Sequence, residues 1–357
     1  MEKISVLIIV PNDKLGGAEQ ILKSIAKFCY HNNWDITLFC LSKKRSTSWD
    51  DFQGRVVFFP FRHFWLGLCV LPFIILRKKY DYVLASQVYI NGTLGFIKSL
   101  GVNFCKKLVV RESTSVFLRF TGLKKYIFRF FYKLGYKYVD KVVCQTALMK
   151  NQILSHYKGA LKWKEIVVLA NPIDIKYIKY KSAHDVTPYT SDDFIVGAGR
   201  LIKAKGFDLL IKAYSSIVET NPSCKLDLLI LGDGEERKGL VALVESLGLS
   251  HRVLLPGHVE NPFPYFKLAN MCIVSSRIEG FPNTLMQMMV LNNKVASTRC
   301  AGGIESIPGI ITCDPTERGI QNAIMQLKDD IMPNNRKVMD RYLEKLNIEQ
   351  YVLQILR

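Results

Sequence analysis

A chain of 357 residues and 40.8 kDa is longer than one ordinary core supports, so two domains of similar size are expected. With 49% hydrophobic and 22% charged residues, 13 prolines and 23 glycines, the composition excludes disordered, collagen-like and mucin-like classes. The net charge of +18 is uneven: residues 1–180 hold 29 Lys+Arg against 11 Asp+Glu, and the remainder holds 20 of each, which points to a polyanionic partner of the first half, with membrane phospholipid, a phosphorylated substrate and nucleic acid as the options.

In chain order, Lys3 precedes the apolar run Ile4 to Val10, which ends at Pro11 without a small-residue cleavage site and reads as a first strand rather than a signal peptide. Ala18 to Asn32 is helix-like and Ile36 to Leu41 strand-like. The stretch Phe64 to Leu76, bracketed by Arg62-His63 and Arg77-Lys78-Lys79, falls short of the roughly 20 residues that span a bilayer; it fits a core helix or one touching a membrane interface. Strand-like runs follow at Tyr82 to Ala85, Lys107 to Arg111 and Lys141 to Gln145, and the alternation implies a parallel sheet with crossover helices. After Asn171-Pro172-Ile173-Asp174 and a polar stretch to Asp193, the pattern restarts with strands at Phe194 to Gly199, Leu226 to Gly232, Val253 to Pro256, Met271 to Ser275 and Lys294 to Ser297. The reading is an α/β protein of two Rossmann-like, doubly wound domains facing across a cleft: residues 1–175, residues 176–335, and a C-terminal helix in 336–357 returning to the first domain. Nine cysteines, with no C-x-x-C pair and mostly inside apolar runs, read as reduced core residues of a cytosolic protein, in which the Asn91-Gly92-Thr93 sequon has no meaning.

Ligands of such sheets bind beyond the carboxyl ends of the strands, and the glycine-rich motifs lie there. Gly16-Gly17-Ala18-Glu19 opens the first helix, where close backbone approach and the helix N-terminus suit phosphate or a sugar hydroxyl, or form a plain tight turn; it is not the G-x-G-x-x-G of dinucleotide folds. In Gly199 to Asp208, Arg200 and Lys205 leave a strand end five residues apart and can converge on one diphosphate, or sit on a solvated loop. Ser275-Ser276-Arg277-Ile278-Glu279-Gly280-Phe281-Pro282-Asn283-Thr284 places a carboxylate before a Gly, a Pro and a helix N-terminus: Glu279 can hold a polar ligand and the amides beyond Pro282 an anion, or Asn283 is a plain N-cap and Glu279 its dipole partner. Gln287 lies eight residues after Glu279 and one turn beyond Asn283.

Gly-Gly-Ala-Glu, Asn-Pro-Ile-Asp, Gly-Arg-Leu-x4-Gly-Phe-Asp, Leu-Gly-Asp-Gly, Pro-Gly-His-Val, Ser-x-x-Glu-Gly-Phe-Pro-Asn and Cys-Ala-Gly-Gly-x-Glu follow one another as in glycosyltransferase family 4, which the chain resembles over nearly its whole length. The resemblance implies the GT-B arrangement and a retaining, usually metal-independent enzyme of the kind that builds lipid-linked bacterial surface polysaccharides, such as O-antigen or capsule. It implies a nucleotide sugar, a UDP-sugar, in the C-terminal domain and an acceptor in the N-terminal one. Arg200 and Lys205 would then hold the donor diphosphate and neutralise the leaving group. Glu279, with Gly280, Phe281, Pro282, Asn283 and Thr284, would hold the sugar. Gly16 and Gly17 would lie by the donor phosphates, His258 and Val259 near the base, and Arg111, Glu112 and Ser113 at the acceptor. The family's usual Glu-x7-Glu ends here in Gln287, whose amide can still serve a ribose hydroxyl.

No Asp-x-Asp occurs and the six histidines show no metal-ligand spacing, so no metal or other cofactor is expected, and the leaving diphosphate falls to Arg200, Lys205 and backbone amides. Between Phe117 and Lys141, seven basic residues and nine aromatics stand against one acid, with Lys125, Arg129, Lys133 and Lys137 four apart on one helical face. That helix suits an anionic membrane surface bearing a polyprenyl-pyrophosphate-linked saccharide, which places the protein on the inner face of the plasma membrane, or it is an ordinary crossover helix with a solvated basic face; no recognition motif supports nucleic acid. Three other readings share this fold: a nucleotide-sugar epimerase, a phosphorylase, and a noncatalytic partner of another transferase.

Overall fold

The computed structural model describes residues 3–44, 46–60, 62–157, 165–184, 193–329 and 335–356. The chain divides into two compact units, one made of Met1–Pro172 with Asn347–Arg357 and the other of Ile173–Leu346. Residues 185–192, the later part of the expected linker, lie outside the described residues.

The strands of the first unit are β1 (Ser5–Val10), β2 (Asp35–Cys40), β3 (Arg55–Phe58), β4 (Tyr80–Ala85), β5 (Cys105–Glu112), β6 (Lys141–Cys144) and β7 (Glu165–Val168), paired in parallel in the order β3-β2-β1-β4-β5-β6-β7. Central strands of such a sheet are covered on both faces and therefore read as unbroken apolar runs, as Val6 to Val10 do, all essentially inaccessible to water. The helices are α1 (Gly17–His31), α2 (Phe64–Ile75), α3 (Val88–Ser99), the single turn α4 (Val116–Arg119), α5 (Gly122–Gly135) and α6 (Ala147–Tyr157). In α1 the buried Ile21, Leu22, Ile25, Ala26 and Cys29 recur at helical spacing and form the face laid on the sheet.

Helices α3 and α5 cross at backbone contact. A Cβ at Gly95 would sit 2.0 Å from the Gly135 carbonyl oxygen, and one at Gly135 would sit 1.8 Å from that of Gly92. Asn91, the sequon residue, is fully buried and donates through Nδ2 to the Arg111 carbonyl (3.2 Å) and the Tyr136 hydroxyl (2.9 Å), so it is a structural amide.

The basic aromatic stretch is not one helix. Phe120 and Thr121 are extended and Gly122 is left-handed (φ 58°), which separates α4 from α5, and Lys137 lies in a 3-10 turn (Tyr136–Tyr138) beyond the end of α5. Lys133 and Lys137 are exposed, whereas Lys125 and Arg129 are half-buried. The run Phe64 to Leu76 is two-sided: Leu68, Leu71 and Ile75 enter the core, while Trp65, Leu66, Phe73 and Leu76 face solvent.

The second unit contains β8 (Phe194–Ala198), β9 (Asp227–Leu231), β10 (Val253–Gly257), β11 (Met271–Val274), β12 (Val295–Thr298) and β13 (Ile311–Cys313), again all parallel, in the order β10-β9-β8-β11-β12-β13. Its helices are α7 (Ile175–Lys181), α8 (Phe207–Thr220), α9 (Arg237–Ser246), α10 (Phe263–Leu268), α11 (Asn283–Leu291), α12 (Glu317–Asp329) and α13 (Asn335–Glu344). Residues 336–344, expected with the returning C-terminal segment, belong to this unit through the buried Met339 and Leu343. The chain rejoins the first unit with α14 (Ile348–Leu356), whose Tyr351, Val352, Ile355 and Leu356 pack among Val6, Ile8, Leu84 and Val109. Lys141, itself buried, fixes the end of α14 by donating to the Gln354 carbonyl (2.8 Å), a cation placed at the negative end of a helix.

Candidate functional site

A doubly wound sheet opens a crevice where consecutive strands leave a common neighbour in opposite directions. In the second unit the chain runs outward from β8 to β9 and β10, then returns to the other side of β8 with β11, so the switch point lies between the carboxyl ends of β8 and β11. Lys205 follows the first of these strands and Glu279 the second. Their side chains meet there, Lys205 Nζ to Glu279 Oε1 at 2.5 Å, each only partly exposed. Ser276 donates its hydroxyl to the same carboxylate oxygen (2.7 Å), and the Glu279 amide donates to the Cys300 carbonyl (2.8 Å), which joins the loops after β11 and β12.

The backbone around this pair is built for close approach. Gly206 is left-handed (φ 63°), and a Cβ on it would lie 2.2 Å from the Ser275 carbonyl oxygen; no other residue lets the turn Lys203–Lys205 sit against the end of β11. The Ser275 hydroxyl and the Arg277 amide secure the contact, donating to the carbonyls of Lys205 (3.0 Å) and Ala204 (2.8 Å). Gly232 (φ 141°) presses likewise on Gly199, so the ends of β8 and β9 also touch.

Arg200 leaves the end of β8 exposed, without a side-chain partner among the described residues, and is free to meet an anion. Pro282 occupies the N-cap of α11 and makes no side-chain cap; Asn283 is the first helical residue rather than the cap. Thr284 and Gln287 are half-buried on that helix, and Gly280 and Phe281 form the turn leading into it. His258 is exposed and Val259 half-buried just after β10, on the far side of β9 from Lys205 in the strand order. Burial first, and the nearby Glu279 carboxylate second, push the Cys300 thiol up to about 12, so this neighbour of the site is not a thiolate nucleophile at neutral pH.

The first unit has its switch point between β1 and β4. Gly16 is the N-cap of α1 and Gly17 its exposed first residue. The buried Glu19 carboxylate accepts from the Gly16 amide (3.1 Å) and from Gln87 Nε2 just after β4 (3.2 Å), so one side chain ties together the two strand ends that flank the crevice. Asp13, also buried, accepts from the amides of Lys44 (2.8 Å) and Ser46 (3.1 Å) and anchors the loop after β2.

The segment expected at an acceptor needs correction. Arg111 is buried and donates to the Tyr351 hydroxyl (2.7 Å), the Ser86 hydroxyl (3.2 Å) and Asn171 Oδ1 (2.6 Å), while Glu112 is buried and accepts from the hydroxyls of Tyr132 and Tyr136. Burial pushes the Glu112 carboxyl up to about 7 against the lowering effect of those hydroxyls. Both side chains belong to the interior because β5 still runs between covered faces at this point, which leaves Ser113 as the partly exposed member of the three.

Sequence reasoning passed over Glu19, Gln87, Ser276, Asp208 and Arg277. Glu19 at the third position of a helix begun by Gly-Gly carried the signal of a capping box, and Ser276, Arg277 and Asp208 stood inside the quoted motifs without a role. Among the described residues no group of three or more His, Cys, Asp or Glu could hold a metal ion.

Residues 192–330, within the second unit, match the family described as Glycosyl transferases group 1. An uncharacterized glycosyltransferase of Methanocaldococcus jannaschii is 36% identical over 190 residues, covering 52% of this chain and 46% of that protein. The N-acetylgalactosamine-N,N'-diacetylbacillosaminyl-diphospho-undecaprenol 4-alpha-N-acetylgalactosaminyltransferase of Campylobacter jejuni is 27% identical over 296 residues, covering 80% of this chain and 75% of that protein. The chain thus matches under half the length of the first relative and three quarters of the second. Among solved structures, HepE of Anabaena in complex with UDP and glucose aligns with a TM-score of 0.77 at 17% identity, over 99% of this chain and 98% of that one. Sucrose-phosphate synthase of Thermosynechococcus elongatus aligns with a TM-score of 0.75 at 16% identity, over 99% and 97%. The fold is that of the GT-B glycosyltransferases.

Proposed function

We propose that this protein is a retaining glycosyltransferase that moves a sugar from a UDP-sugar to a polyprenyl-pyrophosphate-linked saccharide in the synthesis of a bacterial surface polysaccharide. The observation that carries the reading is the meeting of Lys205 and Glu279 at the switch point of a unit that matches a glycosyltransferase family. The UDP of the HepE complexes and the undecaprenol-linked acceptor in the Campylobacter enzyme's name support the choice of donor and acceptor.

In this mechanism Lys205 leaves Glu279 for the donor diphosphate, joined by Arg200, and the two cations offset the negative charge that grows as the glycosidic bond breaks. Glu279 holds the sugar. The acceptor hydroxyl attacks from the face the diphosphate leaves, and a diphosphate oxygen takes its proton. Gly16 and Gly17 lie at the donor phosphates, Gln287 at the ribose, and His258 and Val259 by the base. Ser113 is the acceptor contact retained from its segment. Screening nucleotide sugars for thermal stabilisation of the purified protein tests the donor: UDP-sugars raise the unfolding temperature and other nucleotide sugars do not.

At Gln287 the expected result is that Gln287→Glu tightens UDP-sugar binding or leaves it unchanged, since a carboxylate accepts two hydroxyl bonds and a charge-assisted bond gains about 1 kcal/mol over a neutral one. A tenfold loss of affinity in calorimetry would show a site adapted to the amide.

The acceptor's lipid places the enzyme at the inner face of an anionic membrane. No helix among the described residues is long and apolar enough to cross one. The exposed side chains of α2 and α5 offer a surface contact instead. Trp65 of α2 lies 6.5 Å from Phe131 of α5, itself 5.5 Å from the exposed Phe130, and Leu123 and Tyr126 of α5 are 76% and 68% exposed. With about 1 kcal/mol for each basic residue near such a surface, the exposed Lys133 and Lys137 with the half-buried Lys125 and Arg129 suffice for reversible docking that salt weakens. Replacing Lys125, Arg129, Lys133 and Lys137 by Gln is expected to release the protein from anionic vesicles in a flotation assay while activity on a short soluble acceptor is kept. Unchanged flotation would assign the basic excess elsewhere.

A further inference from the structure

Lys205 and Glu279 reach each other from two different loops, and one feature of the second unit fixes the distance between those loops. Arg277, two residues before Glu279, makes a two-pronged ion pair with Asp208, three residues after Lys205: Nη1 to Oδ1 and Nη2 to Oδ2, both at 2.6 Å. Nη1 also donates to the Lys203 carbonyl (3.1 Å), and the Arg277 amide donates to the Ala204 carbonyl (2.8 Å). One residue thus grips the turn Lys203–Lys205 at its first carbonyl, at its middle carbonyl and through the first turn of the helix that follows.

Stability alone does not account for this arrangement. The two side chains are 29% and 37% exposed, a setting in which an ion pair contributes little to folding. What a planar guanidinium facing a carboxylate in parallel does supply is angular precision, which a single lysine bond does not. The Arg277 neighbour holds the Asp208 carboxyl below its ordinary range, so the pair stays ionised through the neutral range.

We propose that Arg277 and Asp208 are positioning residues that hold the Lys203–Lys205 turn at the height where the Lys205 ammonium can pass from Glu279 to a donor diphosphate. This rests on the nucleotide-sugar reading above, with UDP as the common probe. Loss of the clamp lets the turn move away from the loop after β11, so Lys205 contributes less to diphosphate binding although its charge is intact. Arg277 then acts through Lys205, and their effects on binding overlap.

The test is a double-mutant cycle read by calorimetric titration with UDP on the full chain. Arg277→Ala is expected to weaken UDP binding about tenfold, and the double variant Arg277→Ala/Lys205→Ala to bind no more than about twofold worse than Lys205→Ala alone, as residues of one unit do. Asp208→Asn, which keeps Arg277 and removes one charge, should reproduce the loss with an unfolding temperature near wild type. A purely structural clamp would instead lower the unfolding temperature and leave UDP affinity alone. UDP affinity within twofold of wild type in both Arg277→Ala and Asp208→Asn, or losses that multiply in the double variant, would overturn the proposal while the function stands. If the wild type bound no UDP at all, the nucleotide-sugar reading would fall and the clamp's assigned role with it.

Discussion

Glu279→Gln is expected to abolish sugar transfer with the fold intact. The residue lies on the loop after β11, where its carboxylate accepts from Lys205 and Ser276 at the rim of the sheet, outside the apolar clusters of the second unit. A glutamine of the same shape keeps the Ser276 bond through its amide oxygen, so the loop has no reason to rearrange, and unfolding should shift by no more than a few degrees. The negative charge is what disappears. In the free protein that charge holds Lys205 at the switch point, and in the proposed reaction it would hold the sugar. Turnover within threefold of wild type at saturating donor would remove Glu279 from the mechanism.

Arg200→Ala and Lys205→Ala form the second test, each expected to slow transfer by a factor on the order of 100 or more, because each deletes a cation aimed at the charge that develops on the diphosphate. Their free states differ in a way that separates the two roles. Arg200 is exposed and its removal disturbs nothing else, so its loss should appear in both kcat and donor KM without a change in stability. Lys205 is paired, and its removal leaves the Glu279 carboxylate with the Ser276 hydroxyl as its side-chain donor. That variant should therefore lose more donor affinity than Arg200→Ala at low salt, where the unpaired carboxylate repels the diphosphate with least screening. EDTA should leave the wild type active; loss of activity restored by divalent ions would replace the two cations with a metal as the main charge partner.

The architecture was readable in the sequence where strands were buried and apolar, and obscure where they were not. The central strands β1, β4, β5, β8, β9 and β11 stand out as apolar runs, whereas β3, β7 and β13 went unread: they are strands of three or four residues on sheet edges, and β3 has no fully buried residue. The break between α4 and α5 was hidden for a different reason. Its cause is the left-handed Gly122 after an extended Thr121, upstream of the regularly spaced basic residues, which begin at Lys125 and run past the end of α5 into the turn holding Lys137.

At the candidate site, glycine spacing pointed to the strand ends carrying Lys205 and Glu279, since Gly206 and Gly232 are required by backbone contacts that no longer side chain permits. What the one-dimensional pattern could not provide is pairing at long range. Arg277 and Asp208 are 69 positions apart, and Gln87 and Glu19 are 68 apart. The same limit explains Arg111: its strand is visible, but the Tyr351 hydroxyl it binds comes from a helix 240 positions later, so its buried hydrogen bonds leave no mark in the local pattern.

The most direct measurement of the proposed transfer is acceptor-dependent release of UDP from a UDP-sugar, followed together with the anomeric configuration of the product. UDP is expected to appear only when a polyprenyl-pyrophosphate-linked saccharide is present, in step with a new glycosidic bond of the donor's own configuration. Interconversion of the UDP-sugar without UDP release, or release at the same rate with no acceptor, would contradict it.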